Sequence, residues 1–150
     1  MRLYEIVNKH HIGTDLTCAE AMFRACSEYY KLDLSEESRR LFSLMGIGMQ
    51  TECSVCGAFT VAVGIIGFLT SSNGEGNINN AKGCEMVEEL TDRVLNAYAT
   101  LVCNDLQMKR IEGFENPCHA IVQQIAIELE DLIDKYGVRP IHKCARKGLE

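Results

Sequence analysis

Cysteine is the residue type of this chain most able to do chemistry, because eight cysteines occur in 150 residues. Cys53 and Cys56 form a Cys-x-x-Cys pair, while Cys18, Cys103 and Cys118 stand apart in other segments. The N-terminal residues lack the apolar run of a secretory signal, so we expect a cytoplasmic protein whose cysteines are thiols. In that setting, spaced cysteines indicate a metal site, a cluster or thiol redox chemistry.

Some of the cysteines need have no chemical role, because free cysteine is also a small hydrophobic residue that packs well in a core. We expect this packing role for Cys26 and Cys84 in particular. Cys144 lies in a basic tail over residues 137–150, and we assign it no role. The charges of that tail are typical of a solvated chain end rather than of a binding patch.

The cysteine pair opens the most apolar stretch of the chain. Residues 55–69 carry no charge, and Thr60 has the one hydroxyl among them. A helix this apolar has no face for water, so we predict a central helix over about residues 54–71 that is buried on all sides. The run is shorter than the roughly 20 apolar residues that a bilayer requires, so we expect no membrane span.

Three helix starts are predicted from capping patterns: at Thr14 or Asp15, at Thr51 or Ser54, and at Asn116-Pro117. These starts place Cys18, Cys56 and Cys118 in the first turn of a helix. Unpaired backbone N–H groups and the helix dipole stabilise anions there, and they lower the pKa of a thiol. The resulting thiolate is the form that attacks disulfides and binds metals.

Two further segments have helical periodicity. Ser35 is expected to start a helix that ends at Gly46 and turns Leu41 inward. The segment over residues 81–104 is expected to form a long helix with Cys103 at its end.

No segment alternates with the period of two that is typical of strands. We therefore predict one all-α domain over residues 1–150, a compact bundle of five to six helices around the buried central helix. Residues 71–80 are expected to form a polar connecting loop.

The charge distribution limits which classes of partner are expected. The net charge is −6, and it is spread evenly, whereas a nucleic-acid surface requires a basic stripe. We expect neither nucleic acid nor membrane as a partner. A redox partner protein is expected, and a homodimer is plausible because small residues would let another helix approach the central one closely.

Five pieces of the chain follow an order and spacing shared with a known family: Thr17-Cys18-Ala19-Glu20-Ala21, Gly46-Ile47-Gly48, Cys56-Gly57-Ala58, Cys103 and Cys118. In these pieces the chain resembles the redox-active protein family named for the pattern C_GCAxxG_C_C, a module also found in split-Soret cytochromes. The resemblance covers about residues 13–134. It implies redox activity or iron–sulfur binding.

The chain departs from the family pattern at two places. The glycine expected three residues after Ala58 is absent, and Cys53 is additional. The missing glycine affects local helix packing but none of the four family sulfurs. Haem attachment is not carried over, because it requires a histidine directly after Cys56 and this position is Gly57.

Three hypotheses follow. In the first, Cys18, Cys56, Cys103 and Cys118 bind an iron–sulfur cluster, or another metal such as Zn²⁺, and the protein transfers electrons. In the second, Cys53 and Cys56 are the catalytic pair of an oxidoreductase that uses thiol–disulfide exchange without a cofactor. No strand precedes this pair as in thioredoxin. In the third, the cysteines only pack.

Histidines offer few alternatives as ligands. His119 adjoins Cys118 and could replace a sulfur, although successive helical residues point about 100° apart. His10 and His11 are predicted to be surface residues.

Overall fold

Residues 1–71 and 80–138 are described by the structure, a computed structural model of the chain. They form eight helices and no strand, and five of the helices have seven or more residues, so the predicted all-α class is confirmed. The helices are α1 (Leu3–His11), α2 (Cys18–Tyr29), α3 (Glu36–Arg40), α4 (Gly46–Met49), α5 (Gly57–Thr70), α6 (Ala81–Tyr98), α7 (Cys103–Gln107) and α8 (Pro117–Lys135). Most of the predicted polar loop and of the basic tail, including Cys144, lies outside the described residues.

The start of α2 differs from the prediction. Thr17, rather than Thr14 or Asp15, is its N-cap, and the Thr17 side chain accepts a hydrogen bond from the Glu20 N–H. The Glu20 carboxylate in turn accepts from the Thr17 N–H at 3.0 Å. This reciprocal capping box satisfies two donors that the helix cannot pair internally, and it fixes Cys18 as the first helical residue.

The central helix is α5, which packs against α2, α6 and α8. Its buried face includes Ala58, Val61, Ala62 and Ile66. The prediction that this helix is buried on all sides is wrong, because Phe68 is among the exposed residues of its opposite face. No neighbouring helix of the described residues covers that face. Among the same residues, no helix combines the length and the apolar composition needed to cross a membrane.

The helix predicted from Ser35 to Gly46 is shorter than expected. Ser35 caps α3 as predicted, but the helix ends at Arg40. The next residues form tight turns with hydrogen bonds three residues back, such as Phe42 N–H to the Arg39 carbonyl at 3.1 Å. These tighter turns rotate Leu41 into solvent, so its predicted inward position is wrong.

Cys103 opens a helix, and its predicted place at the end of one is wrong. Helix α6 stops at Tyr98 because Ala99 adopts the left-handed conformation, with φ of 61°. Val102 then pairs with Val55 in an isolated antiparallel bridge. This bridge lays the segment before α7 against the segment before α5, which brings the two helix starts side by side.

Helix α8 begins as predicted, with Asn116 as its cap and Pro117 as its first residue. Near its other end, the buried carboxylate of Glu130 accepts hydrogen bonds from Arg2 Nε at 2.8 Å, the Leu3 N–H at 2.9 Å and the Tyr29 hydroxyl at 3.0 Å. One side chain therefore connects the start of α1 and the C-terminal part of α8 with the end of α2, at the opposite end of α2 from Cys18.

Removing this carboxylate should destabilise the bundle. We expect Glu130→Ala to lower the free energy of unfolding by about 2–4 kcal/mol, because buried donors lose their acceptor. The measurement is urea unfolding at pH 7. The control is Glu128→Ala, on the same helix as Glu130, which removes a partly exposed ion-pair partner of Arg93 in α6. It should lower the free energy of unfolding by less than about 1 kcal/mol. Equal losses in the two variants would contradict the anchoring role of Glu130.

Candidate functional site

Four cysteines lie at the N-terminal ends of four helices. Cys18 is the first residue of α2, Cys103 the first of α7 and Cys118 the second of α8. Cys56 is the N-cap of α5, one residue before the first turn in which it was predicted. These positions bring backbone N–H groups that have no partner within their helices to one region of the protein.

The Cys18 sulfur is the centre of this group. Its closest functional neighbour is Cys56, whose side-chain hydrogen bond is the largest cause that lowers the pKa of Cys18 to about 6. The backbone N–H groups of Ile47, Ala58 and Ala19 also donate to this sulfur and stabilise its thiolate. Partial burial opposes the effect without reversing it. Cys18 is therefore the thiol of the site whose ionisation the surroundings favour.

Cys56 has the opposite state. Its hydrogen bond to Cys18 raises the pKa of Cys56 well above the ordinary value, and burial and the negative charge of Cys18 raise it further. The pair therefore holds one proton, and it belongs to Cys56. Cys18 is only partly buried whereas Cys56 is buried, so Cys18 is the more accessible residue of the pair.

Gly57 permits this contact. A Cβ atom at Gly57 would lie 2.5 Å from the Met45 carbonyl oxygen, 2.9 Å from the Gly46 Cα and 3.0 Å from the Cys18 sulfur. Real Cβ atoms do not approach neighbours this closely. The start of α5 can therefore contact both the start of α4 and the Cys18 sulfur only because position 57 has no side chain.

A left-handed loop over residues 46–52 covers the other side of the sulfurs. A Cβ atom at Gly48, where φ is +56°, would lie 2.6 Å from the Cys103 Cβ. Two backbone hydrogen bonds hold the loop and the next residues to α7: Asn104 N–H to the Glu52 carbonyl at 2.8 Å and Cys103 N–H to the Ser54 carbonyl at 2.9 Å. These hydrogen bonds hold the loop beside Cys103.

Cys103 and Cys118 surround the pair as neutral thiols. Burial raises the pKa of Cys103, and the charge of Cys18 raises it further, although the Gln107 amide donates to the Cys103 sulfur at 3.0 Å. Burial, together with the charges of Cys18 and Cys103, raises the pKa of Cys118 to about 11. The four family cysteines thus shift one another's pKa values, and only the pKa of Cys18 is lowered.

The remaining described cysteines are not in this group. Cys53 is exposed, so the structure sets Cys56 beside Cys18 and leaves Cys53 at the surface. Cys26 is buried, as predicted for a packing residue, but Cys84 is exposed, and its predicted packing role is wrong. The sequence predicted one site that contains both Cys18 and Cys56, with Cys53 and Cys56 as an alternative pair. The close approach of Cys18 to the start of α5 depends on the absent side chain at Gly57, directly after Cys56.

All seven cysteines within the described residues are free thiols. Over the same residues, no three side chains of His, Cys, Asp or Glu are arranged to hold a metal ion. The four sulfurs are therefore neighbours in one site, but their arrangement in this structure is not a metal-binding geometry.

His11 lies in an environment that the sequence did not predict. Its ring and that of His119 meet edge to face, with centroids 5.2 Å apart. The His11 Nδ1 atom is buried and has no hydrogen-bond partner among the described residues. Burial, followed by the charge of His119, lowers the pKa of His11 to about 4. The prediction of a surface position for His11 is wrong.

These features define a helical protein with cysteines gathered at helix starts around one thiolate. The chain belongs to the family described as "Putative redox-active protein (C_GCAxxG_C_C)", whose pattern matches residues 16–132. The resemblance noted from the sequence is thereby confirmed, and the protein is a member of a redox-active cysteine family. No curated protein and no solved structure gave a match.

A side chain at Gly57 should separate the pair. We expect Gly57→Ala to lower the free energy of unfolding by about 1–3 kcal/mol through overpacking, and to slow alkylation of Cys18 at pH 7. Gly67→Ala is the matched control in the same helix, because a Cβ there meets no atom within 4 Å, and it should stabilise the helix by up to about 1 kcal/mol. Normal stability and reactivity in Gly57→Ala would contradict the close packing.

Stability should depend on pH through His11. The unfolded chain binds a proton at His11 near pH 6.5 and the folded chain only near 4, so stability rises with pH between these values. We expect up to about 3 kcal/mol to be lost as the pH falls from 7 to 4. His11→Leu should reduce this slope in urea titrations at several pH values. His10→Leu, at the Glu28 ion pair, is the control.

Proposed function

We propose that this protein is a thiol-based redox protein that works by thiol–disulfide exchange at Cys18 and Cys56. The observation that carries the proposal is the packing of the Cys18 sulfur against the start of α5, where a Cβ atom at Gly57, directly after Cys56, would lie only 3.0 Å from it. The pKa of Cys18 is lowered and that of Cys56 is raised, and Cys56 is the more buried residue of the two. Exchange requires a thiolate that attacks and a nearby thiol that resolves the mixed disulfide, and these two residues match those roles.

The oxidant in this reaction is an incoming disulfide. The Cys18 thiolate attacks one sulfur of the incoming disulfide, whose S–S bond breaks and releases a thiolate. Cys56 then gives its proton to the thiolate released first, and its sulfur attacks Cys18 in the mixed disulfide, which releases the second thiolate. The oxidant gains two electrons, and the pair becomes a Cys18–Cys56 disulfide.

The surroundings favour this chemistry. At a pKa of about 6, Cys18 is about 90% thiolate at pH 7 and remains a good nucleophile, since attack is fastest when the pKa is near the ambient pH. The raised pKa values of Cys103 and Cys118 keep these thiols neutral. The Cys53–Cys56 pair predicted from the sequence stays an alternative, in which these two residues would cycle between dithiol and disulfide.

Alkylation rates test the proposal. With iodoacetamide and peptide mass spectrometry, we expect Cys18 to react first, with a pH midpoint near 6. Cys56→Ala should move this midpoint toward the ordinary value of about 8.5, because the largest stabilising interaction is lost. Cys26→Ala is the control, since Cys26 is buried away from the pair. Preferential alkylation of another cysteine, or a midpoint that Cys56→Ala leaves in place, would refute the assignment.

A second candidate function has its own supporting observation. Cys18, Cys56, Cys103 and Cys118 all lie at helix starts, where dipoles and free N–H groups favour the anionic thiolates that ligate iron–sulfur clusters. A bound cluster would supply one-electron transfer. The described sulfurs would have to rearrange to bind it, since they are not in a metal-binding geometry.

Anaerobic purification separates the two candidates. A cluster predicts iron and sulfide in stoichiometric amounts, with a visible absorption band that is lost in both Cys56→Ser and Cys118→Ser. Thiol–disulfide exchange predicts a colourless protein that forms a reversible Cys18–Cys56 disulfide. Because Cys118 is a proposed ligand and has no step in the exchange, Cys118→Ser should leave that disulfide intact.

A further inference from the structure

The rim of the Cys18 sulfur is formed by the left-handed loop over residues 46–52. Ile47 has φ of 53°, Met49 57° and Gln50 62°, all in the left-handed region. This conformation destabilises each residue that has a side chain by roughly 1–2 kcal/mol, and β-branched residues such as isoleucine adopt it least readily. The loop therefore carries local strain beside the reactive sulfur.

The strained residues also expose apolar side chains. Ile47 is 41% exposed and Met49 39% exposed, and nearby Leu44 is 71% exposed. Glycine at position 47 or 49 would remove both the strain and the exposed apolar surface. Neither side chain belongs to the hydrophobic core, so the fold gains little from them. Apolar surface of this kind beside a reactive group is typical of a contact surface for a partner.

The position of the loop links this surface to the sulfur. A Cβ atom at Gly57 would lie 2.9 Å from the Gly46 Cα and 3.0 Å from the Cys18 sulfur, so the start of the loop lies beside that sulfur. Ile47 follows Gly46 directly, and its N–H is among the groups that lower the pKa of Cys18. The loop that carries these exposed apolar side chains therefore lies beside the reactive sulfur.

The carboxylates of Glu20 and Glu52 lie near the cysteines, and of the two cations close to Leu44 in the chain, Arg39 is paired with Glu36. The Glu20 carboxylate binds the Thr17 N–H and hydroxyl, one residue before Cys18. On the other side, the charge of Glu52 acts on Cys103. The whole chain has a net charge of −6. An acidic disulfide is repelled by such a surface, whereas a basic one is attracted.

We propose that the substrate of the Cys18–Cys56 pair is the disulfide of a partner protein, flanked by apolar residues on a basic surface, and that it docks on Leu44, Ile47 and Met49. The inference rests on the proposed thiol–disulfide function. In the docked complex, Cys18 attacks the partner's disulfide and Cys56 completes the exchange. The partner leaves with both of its cysteines reduced, and the pair is oxidised.

The test uses the reduced full-length protein and two synthetic peptides with the same internal disulfide. Leucine and lysine flank the disulfide in one peptide, and serine and glutamate flank it in the other. The neutral reagent 4,4′-dithiodipyridine reports the intrinsic reactivity of the pair. Formation of the Cys18–Cys56 disulfide is followed by mass spectrometry after acid quenching. We expect the leucine–lysine peptide to react at least about tenfold faster than the other peptide.

Three surface variants locate the preference. Ile47→Thr keeps the β-branched shape and Met49→Gln keeps the chain length, and each should reduce the ratio of the two peptide rates severalfold. Ile47→Val keeps an apolar, β-branched side chain and should therefore retain the ratio of the wild type. Leu95→Gln, which changes an exposed apolar residue of α6, should leave the ratio as in the wild type.

The outcomes separate the two claims. If the wild type forms the Cys18–Cys56 disulfide with 4,4′-dithiodipyridine but reacts equally with both peptides, the docking surface is refuted and the thiol function stands. A preference that survives both Ile47→Thr and Met49→Gln also refutes the docking surface. If the neutral reagent produces no Cys18–Cys56 disulfide, the thiol function itself is refuted, and the docking proposal fails with it.

Discussion

The contact between α2 and α5 at Gly57 is the constraint on which the site depends. The Cys18 sulfur lies 3.0 Å from the position that a Gly57 Cβ atom would occupy, so the two helix starts can pack this closely only without a side chain there. This contact puts the Ala58 N–H on the sulfur and brings Cys56 within hydrogen-bonding range. The buried face of α5, beginning at Ala58, then fixes the rest of the bundle around the same helix.

Among the four family cysteines, negative charge is favoured on Cys18 and disfavoured on the other three. Helix starts favour anions, but a second thiolate beside the first would be repelled by it and would lose hydration on burial. The structure resolves this competition by concentrating donors on Cys18, which receives N–H groups from α2, from α4 and from α5. Cys56, Cys103 and Cys118 consequently keep their protons. An asymmetric pair therefore arises among four similar positions.

The sequence predicted the helices with strong periodicity and clear punctuation. The Asn116-Pro117 start of α8 and the all-α class were predictable because they depend on local capping and on hydrophobic spacing. The place of Cys103 was not, because the left-handed conformation of Ala99 depends on tertiary packing. The pairing of Cys18 with Cys56 depends likewise on how two distant helices cross, so the nearer Cys53 was the obvious partner from spacing alone.

The sulfurs are supplied by segments that are far apart in the chain, from Cys18 near the beginning to Cys118 at the start of the last described helix. During synthesis, Cys18 emerges from the ribosome long before Ala58 and Ile47 can bind it. A nascent chain therefore carries only ordinary, slowly reacting thiols. The groups that lower the pKa of Cys18 come together only when the bundle has closed, so the low pKa of this thiol is a property of the folded molecule and not of the nascent chain.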